Sequence, residues 1–277
     1  MRALVLGGGG VTGVAWELGL LAGLAERGVD LTDADLVVGT SAGSVVGAEV
    51  ATGVDIEERY AKQLHPPNGD VAAALGPVAM LRFGMALLWP RATPEQVRAR
   101  VGRLALRART MPEAERLAVF AERLPVHEWP DRALKITAVD ARSGEFTVFD
   151  RASGVPLVTA VAASCAVPGI WPPVTADGRR YLDGGVRSPV NADLAAGYER
   201  VIVIAPIIRG FGPMVGVRSQ LDELRKRSRV ALVSPDAAAL RAIGRNVLDP
   251  ARRADAARAG RAQAAAAAEQ IAEVWAG

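Results

Sequence analysis

The chain has 277 residues, half of them hydrophobic, with 33 basic against 30 acidic residues and a formal charge of +3. That charge is too small to imply nucleic-acid binding, and a single cysteine, Cys165, excludes an internal disulfide and fits a reducing compartment. The amino terminus lacks the apolar core of a signal peptide, and no uninterrupted apolar run reaches about 18 residues, so a cytoplasmic protein without a spanning helix is expected.

The charge remains compatible with peripheral contact at an anionic lipid surface. Aromatic residues make up only 5% of the chain, so the core must be built from Val, Leu, Ile and Ala. Strand-like and helical segments alternate along most of its length, which predicts one α/β domain over residues 1–277. Residues 3–6 form a short apolar run, the pattern of a buried parallel strand. Gly7-Gly8-Gly9-Gly10-Val11-Thr12-Gly13 follows, and residues 14–27 carry helical spacing, with Gly28 as a stop.

The glycine loop matches G-x-G-x-x-G at Gly8, Gly10 and Gly13, the dinucleotide-binding fingerprint, with Asp30, Asp33 and Asp35 near the distance of a ribose-binding acid. On that reading the chain is a nicotinamide- or flavin-dependent oxidoreductase. No Lys-Ser/Thr pair follows the last glycine, so it is not a nucleoside-triphosphate loop. The same side-chain-free backbone can instead turn several N–H groups to one point and form an oxyanion hole. Both uses bind an anion at a helix amino end, and the loop alone does not decide between them.

Residues 36–38 are a second buried-type strand, and residues 44–51 are helical. Between them lies Gly39-Thr40-Ser41-Ala42-Gly43, which reads G-x-S-x-G. A serine on such a strand-turn-helix elbow is lifted clear of the backbone at the carboxyl edge of a sheet. Gly39 and Gly43 permit the tight turn, and the following helix points its amino end at Ser41.

From about 54 to 130 the strand-like runs vanish and helical patterns dominate, which predicts a helical insertion beside or over the sheet. Within it, residues 71–89 are mostly apolar and read as a core or cap helix, or as an acyl groove or membrane-contacting lid. Residues 98–109 carry five arginines on a helical pattern and read as a solvated face. Strand character resumes at 134–139 and 145–149, with Asp140 as a turn or cap residue. Residues 156–163 are helical, and Trp171-Pro172-Pro173-Val174 is extended. Tyr181-Leu182-Asp183-Gly184-Gly185 places an acid at a strand end before a sharp bend, although Asp-Gly is also a common hairpin turn. Residues 201–205 and 230–234 are further strands, Asp236 opens a helix, and an alanine-rich helix fills about 250–276 as an interface or a cover for the sheet, its Ala264–Ala268 run reflecting propensity more than function.

A nucleophilic serine needs a base and an oxyanion hole. The two histidines, His65 and His127, lie near prolines in or beside the insertion, away from the expected sheet edge. Asp183 is the alternative base. A free aspartate, with a pKa of about 3.9, is a feeble base for a hydroxyl, and partial desolvation would strengthen it.

The order of Gly8-Gly9-Gly10 with Gly13, then Gly39-Thr40-Ser41-Ala42-Gly43, then Asp183-Gly184-Gly185 resembles the patatin-like phospholipases, a family of lipid acyl hydrolases. The segment from Ala162-Ala163-Ser164 through Pro168-Gly169 to Pro172-Pro173-Val174 is similar to the family's stretch before its aspartate, and the likeness covers about residues 3–206. The resemblance implies a three-layer α/β/α fold with a mainly parallel central sheet, Ser41 as nucleophile, Asp183 as general base, and the N–H groups of Gly8, Gly9 and Gly10 as oxyanion donors. It implies no metal and no cofactor. Its substrate would be an acyl ester or lipid. Thr12 stands where the family often carries a basic residue, which shifts the expectation toward a neutral lipid or simple ester. A catalytically silent lipid-binding protein on the same fold is a further alternative. The oligomeric state is left open.

Overall fold

The computed structural model describes residues 1–66, 73–74, 84–85, 92–210 and 214–276. The cap or lid expected at 71–89 lies outside them, apart from 73–74 and 84–85. The first units are β1 (Arg2–Leu6), α1 (Gly10–Ala25), β2 (Leu36–Gly39) and α2 (Ala42–Ala51). Helix α1 starts inside the glycine loop, ahead of the first apolar period. Its first turn, Gly10-Val11-Thr12-Gly13, holds a single apolar side chain among glycines and a threonine, which leaves no hydrophobic spacing to read.

Before the sheet resumes, the described residues include α3 (Ile56–Gln63), α4 (Pro94–Leu106) and α5 (Glu113–Arg123). Then come β3 (Ala133–Asp140), β4 (Phe146–Phe149), α6 (Leu157–Ser164), β5 (Val174–Ala176) and β6 (Arg179–Asp183). The chain closes with β7 (Arg200–Ile204), α7 (Val217–Leu224), β8 (Arg229–Val233), α8 (Ala237–Ile243) and α9 (Arg253–Ala276). Among the described residues no helix is long and apolar enough to cross a membrane.

The sheet is mixed and mostly parallel. Hydrogen-bonded neighbours run β5-β6-β3-β2-β1-β7-β8, with β4 also on β3. The five strands from β3 to β8 are parallel, whereas β4 and β6 pair with β3 antiparallel. Its strands are apolar on both faces because helices cover both. Leu4 and Leu6 pack into the layer with α1, α2, α6 and α9, while Ala3 and Val5 pack opposite, against α7.

The alanine-rich α9 covers α1 and the β7–β8 side of the sheet. It packs on α1 with backbones in near contact: a Cβ on Gly19 would stand 2.0 Å from the Ala257 carbonyl oxygen, and one on Gly260 2.2 Å from that of Trp16. Small side chains on both helices are what allow this approach. The arginine-rich α4 is likewise not a wholly solvated face. Arg98 is buried and donates from Nε to the Gly144 carbonyl at 2.6 Å, because α4 lies against the β3–β4 turn.

One register detail positions the site. Ile136 pairs with both Gly39 and Phe149, and Ala138 pairs with both Thr147 and Asp183. A strand residue has one neighbour on each edge, so β4 takes one edge of β3, and β2 and β6 share the other. They approach from opposite directions and their carboxyl ends abut. Asp183 therefore reaches the carboxyl edge of β2 at the end of an antiparallel strand, not of a parallel one as the α/β pattern suggests. The Asp-Gly hairpin turn is also present, but upstream: Asp177 (φ 45°) and Gly178 (φ 70°) join β5 to β6.

Candidate active site

Ser41 sits between β2 and α2 with φ 53° and ψ −116°, a conformation that costs a non-glycine residue about 1–3 kcal/mol. Its surroundings hold it there. The Ser41 N–H donates to Ser164 Oγ at 2.9 Å. On either side, the Thr40 N–H donates to the Leu6 carbonyl at 3.0 Å and the Gly43 N–H to the Gly7 carbonyl at 2.9 Å. Gly43 lets α2 run against β1, since a Cβ there would meet the Leu6 carbonyl oxygen at 2.1 Å. Gly39 ends β2 and packs on Gly43 and Ser44.

The Ser41 hydroxyl donates to Asp183 Oδ2 at 2.6 Å, and the Gly185 N–H donates to Asp183 Oδ1 at 2.7 Å. Gly184 and Gly185 form the tight turn that follows β6. Both Ser41 and Asp183 are buried. Burial pushes the Asp183 carboxyl up from 3.8 to about 6, against the Ser41 and Gly185 hydrogen bonds that hold it down. At neutral pH it is therefore a carboxylate with much more basicity than an exposed aspartate.

Three side chains that motif reading passes over complete the frame. Ser164 takes the Ser41 N–H. Thr137, the β3 residue between the partners of Gly39 and Asp183, has its hydroxyl 2.9 Å from that of Thr40. Asn191, fully buried with φ 50°, donates from Nδ2 to Thr40 Oγ1 and the Ser188 carbonyl, each at 3.0 Å. The Gly184 carbonyl lies 3.3 Å from the same nitrogen. Asn191 thus bridges the residue before Ser41 and the residue after Asp183. Its one sequence signal is residue type, since asparagine tolerates the left-handed region. Cys165 Sγ donates to the Ser41 carbonyl at 3.2 Å, and burial, then the Asp183 charge, push its thiol up to about 12.

The glycine loop departs from expectation at one position. The Gly8 N–H donates to the Pro189 carbonyl at 2.7 Å, so it is engaged and does not serve as a donor for a ligand. The N–H groups of Gly9, Gly10 and Val11, and of Ala42 beside Ser41, meet no acceptor among the described residues. Gly10 adopts φ +62° where α1 begins, and Gly13 sits in the first turn, its N–H on the Gly9 carbonyl. Thr12 is buried and bonds through N–H and hydroxyl to the Val247 carbonyl.

Gly10, Val11, Ser41 and Ala42 line a cavity of about 280 Å³. Its other walls are mainly apolar, from Val14, Val45, Phe120, Val167, Trp171 and Leu248, with Arg116 and Arg123 of α5. Neither histidine contributes to it: both are exposed, and His127 Nε2 contacts the Ala121 carbonyl at 2.8 Å.

The dinucleotide reading fails on placement. A ribose-binding acid belongs at the carboxyl end of β2, near the glycine loop. Asp30, Asp33 and Asp35 precede β2, at the opposite edge. There Asp30 accepts from Thr32, Asp33 pairs with the Arg2 guanidinium at 2.9 Å, and Asp35 accepts from the Arg2 N–H at 2.6 Å.

The family model for patatin-like phospholipase matches residues 4–196. The chain belongs to the patatin-like phospholipase family. An uncharacterized NTE family protein of Mycobacterium tuberculosis (strain H37Rv) is 31% identical over 209 residues, covering 75% of this chain and 49% of its own. The lysophospholipase nte1 of Aspergillus fumigatus is 26% identical over 204 residues, 73% of this chain and 11% of its own. The chain thus spans about half the length of the mycobacterial patatin-like relatives and a ninth of the fungal one. Among solved structures, VipD from Legionella pneumophila aligns over 98% of this chain and 66% of its own, at 14% identity and a TM-score of 0.47. A chain of the ExoU–SpcU complex from Pseudomonas aeruginosa aligns over 98% of this chain and 52% of its own, at 17% identity and a TM-score of 0.41.

Proposed function

We propose that this patatin-like chain is a serine acyl hydrolase that cleaves lipid esters through Ser41 and Asp183. The observation that carries the reading is the 2.6 Å hydrogen bond from Ser41 Oγ to a buried carboxylate, on an elbow held in a strained conformation. Family membership supports the lipid substrate class. We assign the chemistry to one α/β domain with its insertion between β2 and β3.

As Ser41 Oγ attacks the ester carbonyl carbon, its proton passes to Asp183 Oδ2. The carbonyl oxygen becomes an oxyanion and accepts hydrogen bonds from the N–H groups of Gly9, Gly10 and Ala42, near the amino ends of α1 and α2. Gly8 is left out because its N–H is engaged. Collapse of this intermediate expels the alcohol, which takes the proton from Asp183. Water then gives a proton to Asp183 and attacks the acyl-Ser41 carbonyl through the same oxyanion site. A second collapse frees the fatty acid and returns the proton to Ser41 Oγ. The apolar wall of the cavity receives the acyl chain, drawn from solution or from a membrane touched peripherally.

The test is Ser41→Ala, assayed with 4-nitrophenyl butyrate and with a fluorophosphonate probe. Loss of both turnover and covalent labelling is expected. Turnover at the wild-type rate would overturn the reading, and a wild-type protein that never labels would mark a silent binding protein.

A further inference from the structure

Part of the cavity wall beside Ser41 comes from neither the glycine loop nor the elbow. Leu248 and Pro250 line it, and Leu248 belongs to the connection between α8 and α9. The family model ends at residue 196, so this part of the wall lies outside the family match.

The connection is a strap laid across the start of α1. Gly244, at φ 75°, ends α8. Local bonds shape the residues after it. Asn246 Oδ1 accepts the Leu248 N–H at 3.1 Å, and the Asn246 carbonyl accepts the Asp249 N–H at 3.1 Å. Asp249 caps the single turn Pro250–Arg252, its carboxylate accepting the Ala251 N–H at 3.0 Å. Pro250 is buried, and Val247 and Leu248 are half-buried. Thr12 ties the strap to α1: its N–H and its hydroxyl both donate to the Val247 carbonyl, at 3.1 and 3.2 Å. Thr12 is buried and does not line the cavity, so this position faces the strap and not a substrate.

The approach is closest at Gly10. A Cβ there would stand 2.5 Å from the Val247 carbonyl oxygen and 2.9 Å from Leu248 Cδ2. Gly10 also carries one of the N–H groups that meet no acceptor among the described residues. Leu248 therefore sets a branched apolar side chain against the peptide that would hold the ester carbonyl oxygen. The α-carbon of an acyl group is one bond from its carbonyl carbon. A second substituent on that α-carbon needs room beside the oxyanion donors, and a hydrophobic wall excludes it by contact alone.

We propose that Leu248 is a specificity-determining residue, which excludes acyl groups branched at the α-carbon, and that Thr12 is the positioning residue that holds its strap in place. This rests on the serine acyl hydrolase reading and adds a selection that the family's matched segment does not carry.

The experiment compares kcat/KM for 4-nitrophenyl butyrate and 4-nitrophenyl isobutyrate, isomers with the same leaving group that differ only in branching. Leu248→Ala should raise the isobutyrate-to-butyrate ratio about tenfold, the lower end of what a methylene's space in an apolar pocket is worth. Leu248→Phe should lower it severalfold. Thr12→Val keeps the side-chain shape and the N–H bond but drops the hydroxyl, and should raise the ratio by a smaller factor. Leu240→Ala, at an exposed position of α8, should leave it unchanged. Loss of stability alone removes active protein for both esters equally and does not move their ratio. Should Leu248→Ala fail to fold, Leu248→Phe decides the question alone. Either Leu248 variant with the wild-type ratio, or both shifting it in one direction, overturns the proposal. A wild-type ratio in Thr12→Val overturns the part given to Thr12. Failure of the underlying hydrolase reading has a different signature, turnover of both esters at the wild-type rate in Ser41→Ala.

Discussion

Gly39 and Asp183 lie on the same edge of β3, opposite Ile136 and Ala138, so the carboxyl ends of β2 and β6 meet with one β3 residue between their partners. That register sets the distance between Ser41 and Asp183. Side chains alternate faces along a strand, so a one-residue slip of β6 against β3 would turn the carboxylate to the other side of the sheet.

The rate should follow the ionisation of Asp183. Its carboxyl, pushed up to about 6 by burial, could serve as the proposed base only when deprotonated. We expect kcat/KM on a soluble neutral ester to be level above that pH and to fall about tenfold per unit below it. A profile that stays flat down to pH 5 would show that Asp183 is not the base. Asp183→Asn should cost about 10²–10⁴ in kcat, the usual worth of a general base.

The same residue should weigh on stability with the opposite sense. A carboxyl raised from 3.8 to about 6 on folding binds its proton more tightly in the folded state. Its contribution is therefore fully favourable below pH 3.8 and is lost as pH rises through about 6. About two pKa units correspond to roughly 3 kcal/mol. Asp183→Asn, which carries no charge, should accordingly gain up to about 3 kcal/mol at pH 8 by urea denaturation, and lose that advantage near pH 4. A variant less stable than wild type at both pH values would contradict this.

Ser164 should matter to the reaction without touching the substrate. Ser164→Ala leaves the buried Ser41 N–H without its acceptor, at about 1–3 kcal/mol of stability. The elbow then loses one of the bonds that hold its strained turn, and we expect kcat to fall about tenfold with KM unchanged. Steady-state kinetics showing a KM effect alone would assign Ser164 to binding instead.

The packing of α9 on α1 sets two known effects against each other. Gly260→Ala should add about 1 kcal/mol through helix propensity. It should lose more, because the new Cβ would sit 2.2 Å from the Trp16 carbonyl oxygen. We expect a net loss of about 2 kcal/mol in chemical denaturation. Stabilisation would mean that the two helices stand farther apart than described.

The parallel half of the sheet is legible in the sequence because buried strands are written as unbroken apolar runs, as at residues 36–38 and 201–205. The elbow at Ser41 is legible for the same reason: its glycines sit between a strand pattern and a helix pattern. The direction of β6 is not. A short alternating strand reads alike in either orientation, and the turn that reverses it, Asp177-Gly178, carries the same dipeptide as Asp183-Gly184. The frame of the site is hidden by distance along the chain. Ser164 bonds a residue 123 positions away and Asn191 one 151 positions away, so no local period marks them. Engagement of the Gly8 N–H has the same origin, since its acceptor belongs to Pro189.

Ser41 and Asp183 are separated by 142 residues, so on the proposed mechanism the hydroxyl has no base until β6 has been made and has docked on β3. During synthesis, the segment carrying Ser41 leaves the ribosome well before the segment carrying Asp183, and domains fold as units. On that mechanism a nascent chain that has exposed its serine is still inert toward acyl esters. The proposed hydrolysis then requires a completed sheet, so the order of folding itself would act as a safeguard.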